Sequence, residues 1–413
     1  MANKKVKKPS VDESQERLIV KDFFSLKNID IELGRFNVFI GEQASGKSLL
    51  LKLIYFFREE AIHSTINDYN KSGFAELLKA KFESIFALRE NDKFLISYKK
   101  NDISITIEYT FGEFKVQCSE ALILEFNQIS AKINQVKRDT PSLMDDFVNF
   151  NWDFLTHDTK LEPFGQNYFI PAARNFVTAL DEIIFIILKN KIPNNIDKFV
   201  LLFSGWYRNA KIWYAKSKSK IKELTWLDKK SKKIIKGNYV YDPLYSYIKE
   251  QHGNTQVANI SSGQQEFLPL YLFLRFYLES CLAKNKISYA SKAHLYIEEP
   301  EAHLYSTAQE DLIELLVYVT NVTKSHSLNL STHSSDILMV LNRLILADEV
   351  APTGKYENIT VPFNELRAYH LSNGKAKDIR DYDSKFIYAK DFDQISENDA
   401  VEFDKLLDLR YEK

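Results

Sequence analysis

Apolar and polar residues alternate with a period of two in KFLISYKK, ISITIEYT and FKVQC, between Lys93 and Cys118. Asn101-Asp102 and Gly112-Glu113 separate the three runs, and the pattern predicts an antiparallel meander of three short strands. Two further strands are expected over Arg17–Phe23 and Asn28–Leu33, with Gly34 at the turn after them. Phe36–Ile40 is a β-branched and aromatic run, expected to be a buried strand, and Leu49–Ile54 has the composition of a helix. Helical spacing recurs over Phe74–Phe86, Asn175–Lys191 and Lys198–Lys218, and Glu120–Val136 reads as a strand-to-helix stretch. Residues 137–165 are loop-rich, with Pro141, Pro163 and Gly165, before a short strand at Tyr168–Ile170 that Pro171 ends. Thr225–Tyr241 (TWLDKKSKKIIKGNYVY) reads as a basic hairpin.

From Asn259 to about His370 the pattern turns into regular α/β alternation. Helices are expected over Gln264–Leu282, Ser306–Val319 and Ser335–Ile345, and strands over His294–Ile297, Ser327–Leu330 and Arg367–Leu371. No internal repeat and no heptad run of useful length occurs. Residues 1–16 read as a polar, disordered tail, and 377–413 as a mildly acidic tail closing on a helical Ala400–Leu409.

A length of 413 residues suits one large domain with insertions, or two to three ordinary ones, and an apolar content of 45% supplies a core. The net charge of −1 argues against a general basic coat for nucleic acid. Locally, Arg208–Lys236 holds eleven Lys and Arg against Glu223 and Asp228. A solvated face is the default reading of that run, and contact with nucleic-acid phosphates or an acidic partner is the functional alternative. Cys118 and Cys281 lie far apart, match no metal or redox spacing, and read as inert core thiols in a reducing compartment. Met1–Ser10 has no apolar run behind it, Ile183–Leu188 is too short to span a bilayer, and Phe267–Leu282 carries Arg275 and Glu279. A soluble, cytoplasmic protein without a membrane segment is the expectation.

Candidate chemistry sharpens this picture. Gly41-Glu42-Gln43-Ala44-Ser45-Gly46-Lys47-Ser48 is a G-x-x-x-x-G-K-S loop between the expected strand and helix. Its glycines let successive N–H groups turn inward around phosphate oxygens, and the helix N-terminus adds its positive end. Lys47 is then placed for the β- and γ-phosphates, and Ser48 for Mg²⁺. His294–Glu299 is an apolar strand that delivers two adjacent carboxylates at its end. Glu298 is assigned to Mg²⁺ and Glu299 to the general base that orients and deprotonates the attacking water. Ser261-Ser262-Gly263-Gln264, just ahead of a long apolar helix, reads as an N-cap and, in this company, as a second anion site. His333 stands at the end of the next strand, 34 residues after Glu299, where it can contact the γ-phosphate or the attacking water.

In this order, the four elements resemble the ATP-binding-cassette ATPases, over about half the chain. Gly41–Ser48 matches the Walker A motif, and Ile260–Gln264 the signature, with Ser262 where transporters usually have Gly. His294–Glu299 matches Walker B and its catalytic glutamate, Pro300–His303 the D-loop region, and His333 the switch histidine. Glu298 in place of the transporters' Asp, together with IEEPEAHL (297–304), SSGQQE (261–266), STHSSDIL (331–338) and YFIPAAR (168–174), is similar to the RecF/OLD-like branch, grouped as AAA_15/AAA_21-type. No Toprim domain or coiled-coil arm fits in the remaining length.

The resemblance implies an α/β P-loop head with an antiparallel β subdomain and an inserted helical lobe. Its core would be 17–60, 165–175 and 255–376, with insertions at 61–164 and 176–254. It implies ATP and Mg²⁺ as cofactors and an ATP-sandwich homodimer in which one subunit's signature completes the other's site. It further implies a separately encoded effector such as a nuclease, as in the ATPases of Septu-type or PARIS-type anti-phage systems. A RecF-like repair clamp that binds DNA directly is the alternative. The family's glutamine loop is not clear in this chain: Gln128, Gln166 and Arg174 are the candidates, with Arg174 preferred as a sensor of nucleotide or neighbour.

Overall fold

The computed structural model describes residues 16–63, 73–139, 159–179, 197–242, 246–282 and 293–388, together with Thr65 and Thr156. The chain enters through an antiparallel hairpin, β1 (Glu16–Phe23) and β2 (Leu26–Leu33). β3 (Phe36–Ile40) follows, buried at every position, and leads through the phosphate loop into α1 (Lys47–Tyr55). Leu50, Leu51, Leu53 and Ile54 of α1 are fully buried, each side chain contributing about 1.5–3 kcal/mol of apolar burial. The axis continues as a π-helical stretch, Phe56–His63, and α2 (Phe74–Glu83) packs against it.

The meander forms as the alternation predicts: β4 (Lys93–Lys100), β5 (Ile103–Thr110) and β6 (Glu113–Cys118), all antiparallel. β4 also pairs with β1, so the meander extends the main sheet as an antiparallel wing. Glu120–Asp139 is helical throughout (α3), without the expected strand portion. β7 (Gln166–Ile170) is followed by α4 (Arg174–Ala179), α5 (Lys198–Lys216) and α6 (Lys222–Ile235). A small sheet of β8 (Asn238–Val240), β9 (Tyr247–Glu250) and β10 (Gly253–Gln256) precedes α7 (Ser262–Leu282). The last third alternates β11 (Ala293–Glu298), α8 (Ser306–Val322), β12 (Ser327–Thr332) and α9 (Ser335–Val350). It closes with β13 (Leu366–Ser372), β14 (Lys375–Asp378) and two short strands, Arg380–Asp381 and Phe386–Ile387.

Eleven strands make one mixed sheet, ordered β6-β5-β4-β1-β2-β14-β13-β3-β12-β11-β7. The five strands from β13 to β7 are parallel, so β3 lies inside a doubly covered sheet and reads as an unbroken apolar run. One apolar cluster joins a face of these strands to α5–α9, and another gathers α1 with the wing. The α/β P-loop head with an antiparallel β subdomain and a helical lobe is therefore the observed architecture.

Several expectations are corrected. The basic hairpin at Thr225–Tyr241 is helix α6 followed by strand β8. Leu224, Leu227, Ser231, Ile234 and Ile235 form its buried stripe at helical spacing, and Trp226 stacks on Tyr318 of α8 with ring centroids 3.9 Å apart. Glu16 belongs to β1 rather than to the tail, and β14 with the two closing strands occupies the start of the 377–413 segment. Residues 1–15, most of the expected helix Asn175–Lys191, and Ala400–Leu409 lie outside the described residues. Among the described residues no helix is long and apolar enough to cross a membrane.

Candidate functional site

The parallel strands end in register. Ile40 pairs with Thr332, Glu298 with Ser331, and Ile170 with Ile297. The segments that follow these residues, holding Gly41–Ser48, His333, Glu299 and Arg174, therefore emerge along one edge of the sheet. That edge, at the carboxyl ends of the strands, is where open α/β sheets bind ligands.

In the loop, Glu42, Gln43 and Ala44 are exposed, Ser45 and Gly46 half-buried, and Lys47 is buried. Gly46 adopts φ +97°, a left-handed conformation that an L side chain adopts only with strain. A Cβ there would also meet Leu26 and Ser25 within 2.8 Å. The Lys47 ammonium donates to the carbonyls of Gly41 (2.9 Å) and Glu42 (2.7 Å), and lies 3.4 Å from His333 Nδ1. Burial pushes its pKa down, and Glu299 and Glu301 oppose that shift.

His333 Nε2 is 3.0 Å from Glu299 Oε1. A proton on Nε2 and a lone pair on Nδ1 satisfy both neighbours of the ring, with Lys47 donating on one side and Glu299 accepting on the other. Glu299 sits at φ +41°, and its N–H donates to Ser331 O at 2.9 Å. The backbone there turns sharply off the strand and aims the carboxylate at the loop. Glu301, expected in the D-loop region but given no role there, accepts from Thr332 Oγ1 (2.6 Å) and His333 N (2.9 Å) and so fixes the histidine's backbone. The EEPE spacing after the strand was its available signal.

Glu298 points into the protein. One of its oxygens accepts from Ala172 N (3.3 Å), while Oε1 has no partner though buried. Burial pushes its pKa up, while Lys52, the Ser48 hydroxyl and the Ala172 N–H oppose the rise. An orphaned carboxylate oxygen beside the loop's serine hydroxyl fits the donor set of Mg²⁺, a hard cation that prefers oxygen. Among the described residues no group of three or more His, Cys, Asp or Glu could hold a metal alone. Ser48 and Glu298 would therefore share the cation with phosphate and water.

The residues expected to form a second anion site stand at the exposed start of α7. Ser261 N and Oγ both contact Gln264 Oε1 at 2.9 Å, and Gln264 N returns to Ser261 Oγ at 3.4 Å, a capping box closed by glutamine. Ser261 and Ser262 are exposed and Gln264 half-exposed. Gly263 is buried because the His303 carbonyl would lie 2.6 Å from a Cβ there. Of the three glutamine-loop candidates, Gln128 lies exposed on α3 of the wing. Gln166 pairs with Ala293 at the opposite end of the strands from the site. Of the three, Arg174 reaches the site edge, and it is fully buried, which leaves it closed to a neighbouring molecule. The basic run is also partly neutralised from outside, since Lys230 contacts Asp311 at 2.6 Å and pairs with Glu314, whereas its own Asp228 is taken up by Arg275 at 3.1 Å.

Comparison with solved structures finds low-identity matches. An Smc head bound to the C-winged-helix domain of ScpA is 13% identical, covering 88% of this chain and 97% of that one, with a TM-score of 0.41. The recombination mediator protein RecF with ATPγS is 14% identical over 88% and 98%, TM-score 0.32. A dimeric bacterial ABC transporter cassette is 12% identical over 89% and 100%, TM-score 0.33. No curated protein matches the chain. A family model described as "AAA domain, putative AbiEii toxin, Type IV TA system" matches residues 36–339. That span runs from the first residue of β3 into α9 and holds the phosphate loop, both carboxylates, the α7 start and His333, and the chain belongs to this AAA_21 family of P-loop ATPases.

Proposed function

We propose that the protein binds and hydrolyses ATP with Mg²⁺, closes with a second copy of itself around the nucleotide, and thereby holds or releases a separately encoded effector in anti-phage defence. The observation that carries the ATPase reading is the contact chain Lys47–His333–Glu299, with the orphaned Glu298 oxygen and Ser48 beside it. In this reading the Gly41–Ser48 backbone cradles the β-phosphate and Lys47 swings from the loop carbonyls to the γ-phosphate. Mg²⁺, when bound at Ser48 and Glu298, supplies positive charge to the phosphate oxygens. Glu299 Oε orients the attacking water and accepts its proton, while His333 steadies that carboxylate. The exposed Ser261–Gln264 end lies on a different element from Lys47, which supports its use by a second copy's nucleotide. Losing the γ-phosphate removes that bridging contact, so turnover biases a two-state interface. The family's description, a toxin of a toxin–antitoxin system, supports a defence role with a second gene product.

The test is the mass of the purified protein with ATP and Mg²⁺, wild type against Glu299→Gln, alone and with the products of neighbouring genes. A Glu299→Gln assembly that persists with ATP and captures a neighbour supports the reading. The absence of any ATP-dependent assembly refutes the two-copy mechanism. An assembly that ignores neighbours and closes on DNA moves the assignment to a repair clamp. In that case Lys229, Lys232 and Lys233, exposed on α6, are the phosphate contacts to test by salt dependence.

A further inference from the structure

Arg174 donates to four carbonyls from full burial. Nη1 reaches Pro171 O (2.9 Å) and Glu298 O (2.7 Å), Nη2 reaches Glu299 O (2.8 Å), and Nε reaches Glu266 O (3.1 Å). The Glu266 carboxylate lies 3.3 Å from Nε. Burial pushes the guanidinium pKa down, and Glu266, Glu301, Glu298 and Glu299 oppose the shift. One turn further along α4, Thr178 Oγ1 donates to Gln265 O at 2.9 Å. The Gln265 carbonyl needs that donor because Pro269, four residues on inside α7, has no N–H to offer it. A proline that would ordinarily weaken a helix here opens a docking point in its first turns.

We propose that Arg174, with Thr178, is a positioning clasp that ties the start of α7 to the backbone of Glu298 and Glu299, so that contact at Ser261–Gln264 sets the aim of the same chain's general base. The inference rests on the ATPase reading above and deepens it. Glu299 holds a left-handed φ of +41°, a strained conformation that persists only where neighbours over-determine it. Ser331 O restrains its N–H and Arg174 restrains its carbonyl. Lysine cannot replace the fork, because a single ammonium cannot reach carbonyls on α7 and β11 together in the planar geometry that guanidinium offers. Misplacing a catalytic carboxylate by about 1 Å costs up to ~100-fold in rate. The clasp's hydrogen bonds go to backbone carbonyls of Pro171, Glu266, Glu298, Glu299 and Gln265 rather than to the Gly41–Ser48 loop, so turnover should suffer more than nucleotide affinity.

The experiment measures ATP turnover against ATP concentration, and ATP-dependent assembly mass, for wild type, Arg174→Lys and Thr178→Val, with thermal melting as the check of folding. Expected results are a kcat lower by about tenfold or more for Arg174→Lys and about threefold for Thr178→Val. Half-saturating ATP and assembly should stay within about twofold of wild type, a split that general destabilisation does not produce. A folded Arg174→Lys with wild-type kcat overturns the clasp, as does a loss of assembly that accounts for the whole change. If Arg174→Lys does not fold, Thr178→Val decides, and an unchanged kcat there overturns it. A wild-type protein without turnover refutes the ATPase reading itself and removes the clasp with it, a result distinct from all of these.

Discussion

Glu16 is the residue whose protonation most clearly reports on the fold. At the start of β1, its Oε1 accepts from Arg58 Nε (2.6 Å) and from the Tyr98 hydroxyl, and its Oε2 lies 3.2 Å from Lys100 Nζ. Arg58 follows α1 and also donates to Tyr296 and Ser327, on β11 and β12. The group thus binds wing to core in a buried place where Glu16 is 8% and Arg58 0% exposed. Burial alone would raise the Glu16 carboxyl, but Arg58, Lys100 and Tyr98 outweigh it and hold the pKa at about 2 instead of 4.5. A carboxyl shifted that far contributes about 3 kcal/mol at neutral pH. The pKa is lowered on folding, so this stability is complete above about pH 4.5 and drains away as pH falls toward about 2. Glu16→Gln keeps the shape but leaves two buried cations without their counter-charge, and it should cost about 3–5 kcal/mol at pH 7. Urea midpoints of wild type and variant, measured between pH 7 and pH 2.5, give the test. The gap should be wide at pH 7 and shrink steadily below pH 4.5. A gap equally wide at pH 3, or none at pH 7, would show that the carboxylate is not the counter-charge the geometry indicates.

Other outcomes follow from the same coordinates. Lys47→Ala should abolish ATP-dependent assembly and turnover, read by mass and phosphate release, while leaving the melting temperature within a few degrees, because among the described residues the Lys47 ammonium bonds its own loop and His333. Gly263→Val should reduce ATP-dependent assembly at least tenfold by mass titration, since its side chain would displace the His303 backbone beside the exposed α7 start. Burial pushes both thiols up to about 12, so alkylation of Cys118 and Cys281 at pH 8 should be far slower in native than in urea-unfolded protein, followed by intact mass.

What the sequence disclosed tracks the range over which its signals act. The phosphate loop, the paired carboxylates and His333 were legible because chemistry fixes their residue types, and the strand endings that bring them together were implied by the α/β alternation. The meander was legible because its period of two is local. Helix α6 was misread because eight residues of TWLDKKSKKIIK are charged or hydroxylated. The helical stripe of Leu224, Leu227, Ile234 and Ile235 is sparse, and Trp226 finds its partner only on α8. Arg174 could be marked as unusual but not placed, since four carbonyls from three elements are invisible to any spacing rule. Glu16 was assigned to the tail by polar composition, although its partners at Arg58, Tyr98 and Lys100 make it interior.

The turn between β1 and β2 decides how the phosphate loop is seated. Ser25 and Leu26 press so closely on Gly46 that no side chain fits between them, and Gly374 of the β13–β14 turn is pressed against Ser25 and Lys27 in the same way. Gly374 O also accepts from Lys27 N and Asn28 N. The tip of the β1–β2 hairpin is therefore the floor on which the phosphate loop rests, through the side chains of Ser25 and Leu26. That floor is continuous with the meander, because β1 also pairs with β4. The seat of the loop and the meander thus share one strand, so a substitution that shifts the β1–β2 tip should be felt both at Gly46 and at the β1–β4 pairing.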